Sequence, residues 1–419
     1  MNTRITHLTL LIAVTLTATP VLGVPNSFFG NGIIVIPAHP RFNSNLTREV
    51  LSAKHWDQNQ FPGPWEKETA LADFEVKRMS ANPTLFGAVP DSVRAYSENN
   101  ELHEITITFL DAGSFFGFKA GGEKSHSDRL AGADRRSEFN QLYRRLTENL
   151  RMRLEQGCGP GKQNIAGRSD LLRQVYTDYQ WENFTLRLAT RDQHSVSLHI
   201  FRDQSAPRSF IDPDWAPLSP SERTNRLKKN VRHSDQGDLY LENIPMFQQG
   251  HTPFCGIHSL AMVGHYYGLR IKTADLAAGA EFRNTGSARG SNMLNLYHAA
   301  AKEIDMKVSV SSRFDPRRAE RALEAGLPII VWRRVSEERE KAHQTQSLAA
   351  LPPPNSTQKK SWPARDKKGS PSHASVITGI NLERNEIIFT EPWGDHARDR
   401  RMRFEEMEAT AYAAFYFKW

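Results

Sequence analysis

Cysteine is scarce in this chain, with two in 419 residues. Cys158 and Cys255 leave too few thiols for a Cys-rich structural zinc site, which needs four ligands held close together. Long apolar runs are also lacking. Past residue 23 no window approaches the length and apolarity of a membrane span. The basic excess is modest, +7 at neutral pH, and its charges are interspersed with acids. No basic stripe carries interleaved aromatics, so nucleic acid is not indicated as a partner. Glycine, proline and charge are not extreme and 39% of residues are apolar, so most of the chain should fold around sizeable cores.

The first 23 residues differ from the rest. Arg4 precedes an apolar run from Leu8 to Ala18, and small residues at Val21 and Gly23 follow. That pattern reads as a secretory signal peptide over 1–23, cleaved after Gly23 and leaving a secreted or periplasmic protein without a membrane span. The same segment read as an uncleaved anchor would be short and threonine-rich.

Length favours two domains. Residues 24–238 read as an α+β domain with an antiparallel sheet. A helical pattern runs from Trp65 to Met79, and a strand carries Leu102, Ile105, Ile107 and Phe109. An amphipathic helix from Arg135 to Gln156 buries Phe139, Leu142, Leu146, Leu150 and Leu154. Alternating runs on either side of RDQHS suggest a hairpin. Residues 203–238, rich in proline, serine and charge, read as a linker. The second domain, 239–419, places helices first and an antiparallel sheet after them. Within it, 336–372 is highly polar, carries PPP at 352–354, and reads as a flexible insertion.

Gln249–Gly268, QGHTPFCGIHSLAMVGHYYG, is the segment around which the chemistry gathers. Thr252 is the expected N-cap and Pro253 the first helical residue, which puts Cys255 in the first turn. Free N–H groups and the helix dipole there favour a thiolate. Gln249, six residues upstream, is placed to donate to an oxyanion together with the Cys255 N–H. Gln, five residues, then Cys-Gly opening an apolar helix resembles the nucleophile segment of papain-like cysteine peptidases. The CG-x-x-SLAM-x-x-x-YYG run is closest to the bacteriocin-processing (double-glycine leader) branch.

The resemblance implies a papain-like fold and a general base followed by an apolar run and a glycine. His373 of HASVITGI is the matching position. It also implies an acid or amide before a proline at the end of the next strand, and Glu391-Pro392-Trp393-Gly394 matches with Glu in place of Asp. Asp395 is the alternative orienting acid. The resemblance spans roughly residues 243–394 and implies no cofactor, a peptide or protein substrate, and a Cys255–His373–Glu391 triad with Gln249 at the oxyanion.

Four other readings of these residues stay open. Cys158 and Cys255 can pair, which would disarm the nucleophile. Cys255-x-x-His258, with His251 and His265 nearby, resembles a metal half-site. A similar triad also serves cell-wall peptide hydrolysis or transglutaminase-like acyl transfer, and a vestigial one would leave a non-catalytic binding protein.

Overall fold

The computed structural model describes residues 50–419, apart from 59–62, 72–73, 81–83, 117–125, 203–205, 251, 282–289, 346–361 and 367–370. The expected signal peptide and His251 lie outside the described residues. No helix among those described is long and apolar enough to cross a membrane.

Alternation of apolar and polar residues builds the first sheet. Its strands are β1 (Trp65–Ala70), β2 (Phe74–Met79), β3 (Ser92–Glu98), β4 (Glu101–Asp111), β5 (Lys162–Ala166), β6 (Gln174–Trp181), β7 (Phe184–Arg191) and β8 (Ser195–Arg202). They lie in the order β1-β2-β3-β4-β8-β7-β6-β5, and every neighbouring pair is antiparallel. Before them comes the short helix α1 (Ala53–Asp57); α2 (Ala112–Phe116) and α3 (His126–Cys158) lie between β4 and β5. On α3, Phe139, Leu146, Leu150 and Leu154 are buried and close one face of the sheet, as their spacing predicts. Each such side chain stabilises the fold by about 1.5–3 kcal/mol relative to exposure.

The helix expected over Trp65–Met79 is instead the β1–β2 hairpin. Phe74, Val76 and Met79 are buried and β2 pairs with β3, so strand pairing overrides a short helical period.

The second sheet carries β9 (Val231–His233), β10 (Asp238–Leu241), β11 (Lys307–Ser311), β12 (Ile329–Arg334), β13 (Ser372–Asn381), β14 (Glu386–Thr390), β15 (Arg400–Arg403) and β16 (Ala411–Lys418). Its order is β11-β16-β12-β13-β10-β9, with β14 on β13 and β15 on β14. Around it lie α4 (Pro220–Lys228), α5 (Cys255–Tyr266), α6 (Thr273–Gly279), α7 (Gly290–Glu303), α8 (Pro316–Glu324), α9 (Glu337–Thr345) and α10 (Phe404–Thr410). Asp315 caps α8 through Arg317 N and Arg318 N, with Pro316 at its first position.

Two expectations are corrected. The segment 203–238 is not a linker: α4 forms there under a capping box between Ser219 and Glu222, and Phe210, Trp215 and Leu227 enter the core. The β9–β10 hairpin then joins the second sheet through Tyr240 and Gly379, so position 239 falls inside a strand rather than between domains. Residues 336–372 are not uniformly a flexible insertion either. They open with α9, on which Arg339 and His343 are buried.

The described residues, from Val50 to Trp419, belong to one unit. The open face of the first sheet lies on the helices of the second half, which is why β7 is buried on both sides. Glu104 meets Lys272 at 2.8 Å and Asp275 meets Arg191 at 2.5 Å. Glu303 accepts from the Arg168 and Ser169 amides at 2.9 and 2.6 Å. Pairing of this kind is what allows charges to be buried. The architecture is thus a mixture of helices with two antiparallel sheets.

Candidate active site

Helix α5 begins at Cys255 itself. Phe254 is its N-cap and makes no side-chain capping bond, and the first intrahelical bond runs from His258 N to Phe254 O at 2.8 Å. Thr252, the expected cap, belongs to a separate turn: its hydroxyl donates to Gln249 O at 2.6 Å. The start shifts because the Phe254 ring is buried beside the chain at Gly113, where a Cβ would lie 2.4 Å from the ring. Cys255 therefore holds the first helical position, and the N–H groups of the first turn precede the helix's own ladder.

The sheet delivers the remaining groups by register. His373 opens β13 directly opposite Arg333 on β12. Ser375 lies two residues on, on the same face as His373. β14 pairs with β13 so that Glu391, one residue past the strand, arrives beside Ser375. His373 Nε2 is 2.6 Å from Glu391 Oε2, and Cys255 and His373 line the same cavity, where the imidazole acts electrostatically on the thiol. The Trp393 ring lies 4.6 Å from the His373 ring, and the Arg400 guanidinium sits 5.1 Å from the Trp393 ring.

Burial would push the Cys255 thiol up, but the charge of the neighbouring His373, with the Ala374 backbone, outweighs that and holds it below its ordinary value. Burial would likewise push His373 down. The Glu391 carboxylate and the Cys255 thiolate overcome this and raise it to about 10. The two shifts, thiol down and imidazole up, both favour the thiolate–imidazolium pair over the neutral one.

Cys158 has the opposite surroundings. It is a free thiol, as is Cys255, and burial alone pushes it up to about 12. The two cysteines are thus not bridged. Alkylation by iodoacetamide at pH 7 should label Cys255 much faster than Cys158 in the native protein, read by peptide mass spectrometry. Equal rates would contradict the charge state of Cys255.

Gln249 is held differently from the expectation. Its Nε2 donates to Thr252 O at 3.0 Å, while its Oε1 is buried with no hydrogen-bond partner among the described residues. Its backbone N–H donates to Pro392 O at 2.9 Å, tying the Gln249 turn to the Glu391 loop. Asp395, the alternative acid, is exposed and paired with Arg398 at 2.7 Å, so it does not orient His373. His258 faces away from the thiol, with Nδ1 at 3.0 Å from Phe247 O, and burial lowers it to about 4. His265 packs 4.1 Å from the Phe74 ring. The Cys-x-x-His pattern therefore does not converge on a point, and no group of three or more potential ligands occurs among the described residues.

A cavity of about 170 Å³ opens at the thiol, bounded by Phe254, Ile257, Met293, Trp332, Ala374 and Tyr412 among others. Its described lining comes from the second half of the chain. Sequence reading missed Arg333, Ser375 and Glu340. The signal was there in β12: Ile329, Val331 and Arg333 share one face, and all three are buried.

A solved structure similar to this chain is the peptidase domain of Streptococcus ComA, a bi-functional ABC transporter involved in a quorum-sensing pathway. It is 16% identical, covers 42% of this chain and 98% of its own, and has a TM-score of 0.27. No curated protein matches. Residues 241–418, which carry Cys255, His373 and Glu391, match the Peptidase_C39 like family, and the C-terminal half thus resembles the papain-like cysteine peptidases of the bacteriocin-processing branch.

Proposed function

We propose that this protein is an exported cysteine peptidase that hydrolyses peptide or isopeptide bonds. The observation that carries this reading is Cys255 at the start of α5 lining one cavity with His373, whose Nε2 lies 2.6 Å from the buried Glu391. Export rests on the character of residues 1–23.

In this reading the Cys255 thiolate attacks the substrate carbonyl carbon and its electron pair forms the C–S bond. The carbonyl oxygen becomes an oxyanion, stabilised by the N–H groups at the start of α5 and by Gln249 once its amide leaves the Thr252 carbonyl. The His373 imidazolium donates its proton to the leaving amine as the C–N bond breaks. Neutral His373 then takes a proton from water, which attacks the thioester and releases the acid. The thiolate and imidazolium are thereby restored. Glu391 keeps its charge throughout and holds the ring in one orientation.

The test compares three substrates and reads products by mass. A peptide mixture should yield pairs of fragments whose masses sum to that of the parent plus one water. Purified peptidoglycan hydrolysed in place of peptides would reassign the site to cell-wall cleavage. Products coupled to an added amine, without added water, would make it an acyl transferase. No product from any of the three would remove the enzymatic reading.

A further inference from the structure

Taking the catalytic reading above as its basis, we propose that Arg333 is the positioning residue of this site and that Glu340 of α9 holds Arg333 in turn. Arg333 is 1% exposed and spends its three donor groups on three different partners. Nε donates to Ser375 Oγ at 2.8 Å, Nη1 to Glu340 Oε1 at 2.8 Å, and Nη2 to Glu391 Oε1 at 2.5 Å. Ser375 passes its own hydroxyl proton to the same Glu391 oxygen at 2.8 Å.

Glu391 thus uses its two oxygens in opposite directions. Oε2 faces His373, and Oε1 is pinned by Arg333 and Ser375. A carboxylate held at one oxygen alone turns easily about its last torsion, which is broad and two-fold. Pinned at both, it fixes the plane of the imidazole bonded to it. Burial also opposes the charge of a carboxylate that is 0% exposed, and an adjacent guanidinium keeps it ionised. The planar fork matters here, because a point-like ammonium cannot serve three divergent acceptors at once.

A cation behind Glu391 would by itself repel the imidazolium. Glu340 answers that by neutralising Arg333, and Arg400 bonds the other Glu340 oxygen at 3.3 Å. Charges therefore alternate along Cys255, His373, Glu391, Arg333, Glu340 and Arg400. On the same helix as Glu340, Arg339 and His343 bond Glu406 of α10 at 2.7 and 3.1 Å, which anchors α9 to the domain. The opening of the segment 336–372 is therefore a support of the triad.

The experiment makes Arg333→Met, Arg333→Lys and Glu340→Gln in the full chain. It measures kcat and KM on a cleaved peptide and the pH profile of iodoacetamide alkylation at Cys255. Arg333→Met should lower kcat about 100-fold, the scale of a small misplacement, with KM unchanged because the cavity lining is intact. Its alkylation profile should move about 1–2 pH units upward as Glu391 loses its charge partner. Arg333→Lys should recover part of both losses, and Glu340→Gln, which frees Arg333 to turn away from Glu391, should lower kcat by less than Arg333→Met. If Arg333→Met does not fold, Glu340→Gln decides. A folded variant with the wild-type profile and kcat overturns the inference alone. An ordinary thiol profile in the wild type overturns the catalytic reading first, and the inference with it.

Discussion

Cys255→Ala is expected to remove peptide hydrolysis, by about 10⁴–10⁶-fold in kcat, while leaving the fold and substrate binding in place. Alanine deletes the atom that attacks and nothing that carries the architecture. Cys255 packs at the edge of the core, and the burial of α5 comes from Ile257, Leu260, Ala261 and Val263 on the turns after it. His373→Ala should cost a similar factor, because the thiol then has neither its counter-charge nor a proton donor for the leaving group. Because the two residues act as one unit, the double variant should be little worse than either single one. Steady-state kinetics beside thermal unfolding make the comparison. Hydrolysis that survives either substitution at the wild-type rate removes both residues from the mechanism.

Glu391→Gln should come second, lowering kcat by about 10²–10⁴-fold. The side chain keeps its size but cannot stay an anion. Burial works against the charge of Glu391, and His373 with Arg333 holds it below the usual carboxylate range all the same. With the charge gone, His373 loses the strongest influence that raises it. Its value falls from about 10 toward that of an ordinary histidine. The sign follows: the imidazolium that persists until pH rises through about 10 in the wild type is lost at lower pH in the variant. Alkylation of Cys255 at neutral pH should slow with it. Breaking a buried ion pair outright costs about 3–5 kcal/mol. Arg333 still has Glu340 and Ser375, so the fall in Tm should correspond to less than that. A variant that turns over normally would place the orienting group elsewhere.

The nucleophile end and the hairpin end of the site were legible in the sequence because each is local. Gln249-x5-Cys255-Gly256 and His373-apolar-Gly379 with Glu391-Pro392 are short patterns, and β13 and β14 form where their apolar runs stand. The groups between those ends were not legible. Arg333 touches Glu391 across 58 residues, and only strand register brings it opposite His373. The cap at Thr252 failed for a related reason, since Phe254 is set by a neighbour at Gly113 far upstream. Polar composition also misled at 203–238 and at 336–345. Those segments owe their order to a capping box and to buried ion pairs, and neither shows as hydrophobic periodicity.

The role of the N-terminal sheet follows from packing. Its open face meets α6 through Glu104–Lys272 and Arg191–Asp275, and its β4–α2 corner meets the Phe254 ring next to the nucleophile. Cleaving it away would strand buried charges on both sides, which argues for a permanent support.

The most direct test of the central claim is the protonation state of His373, followed by ring-nitrogen NMR from pH 5 to 11 and assigned by its loss in His373→Ala. The account predicts an imidazolium that persists through neutral pH, titrates near 10, and falls to a lower value in Cys255→Ala. A neutral ring at pH 8 that is indifferent to the thiol would contradict it.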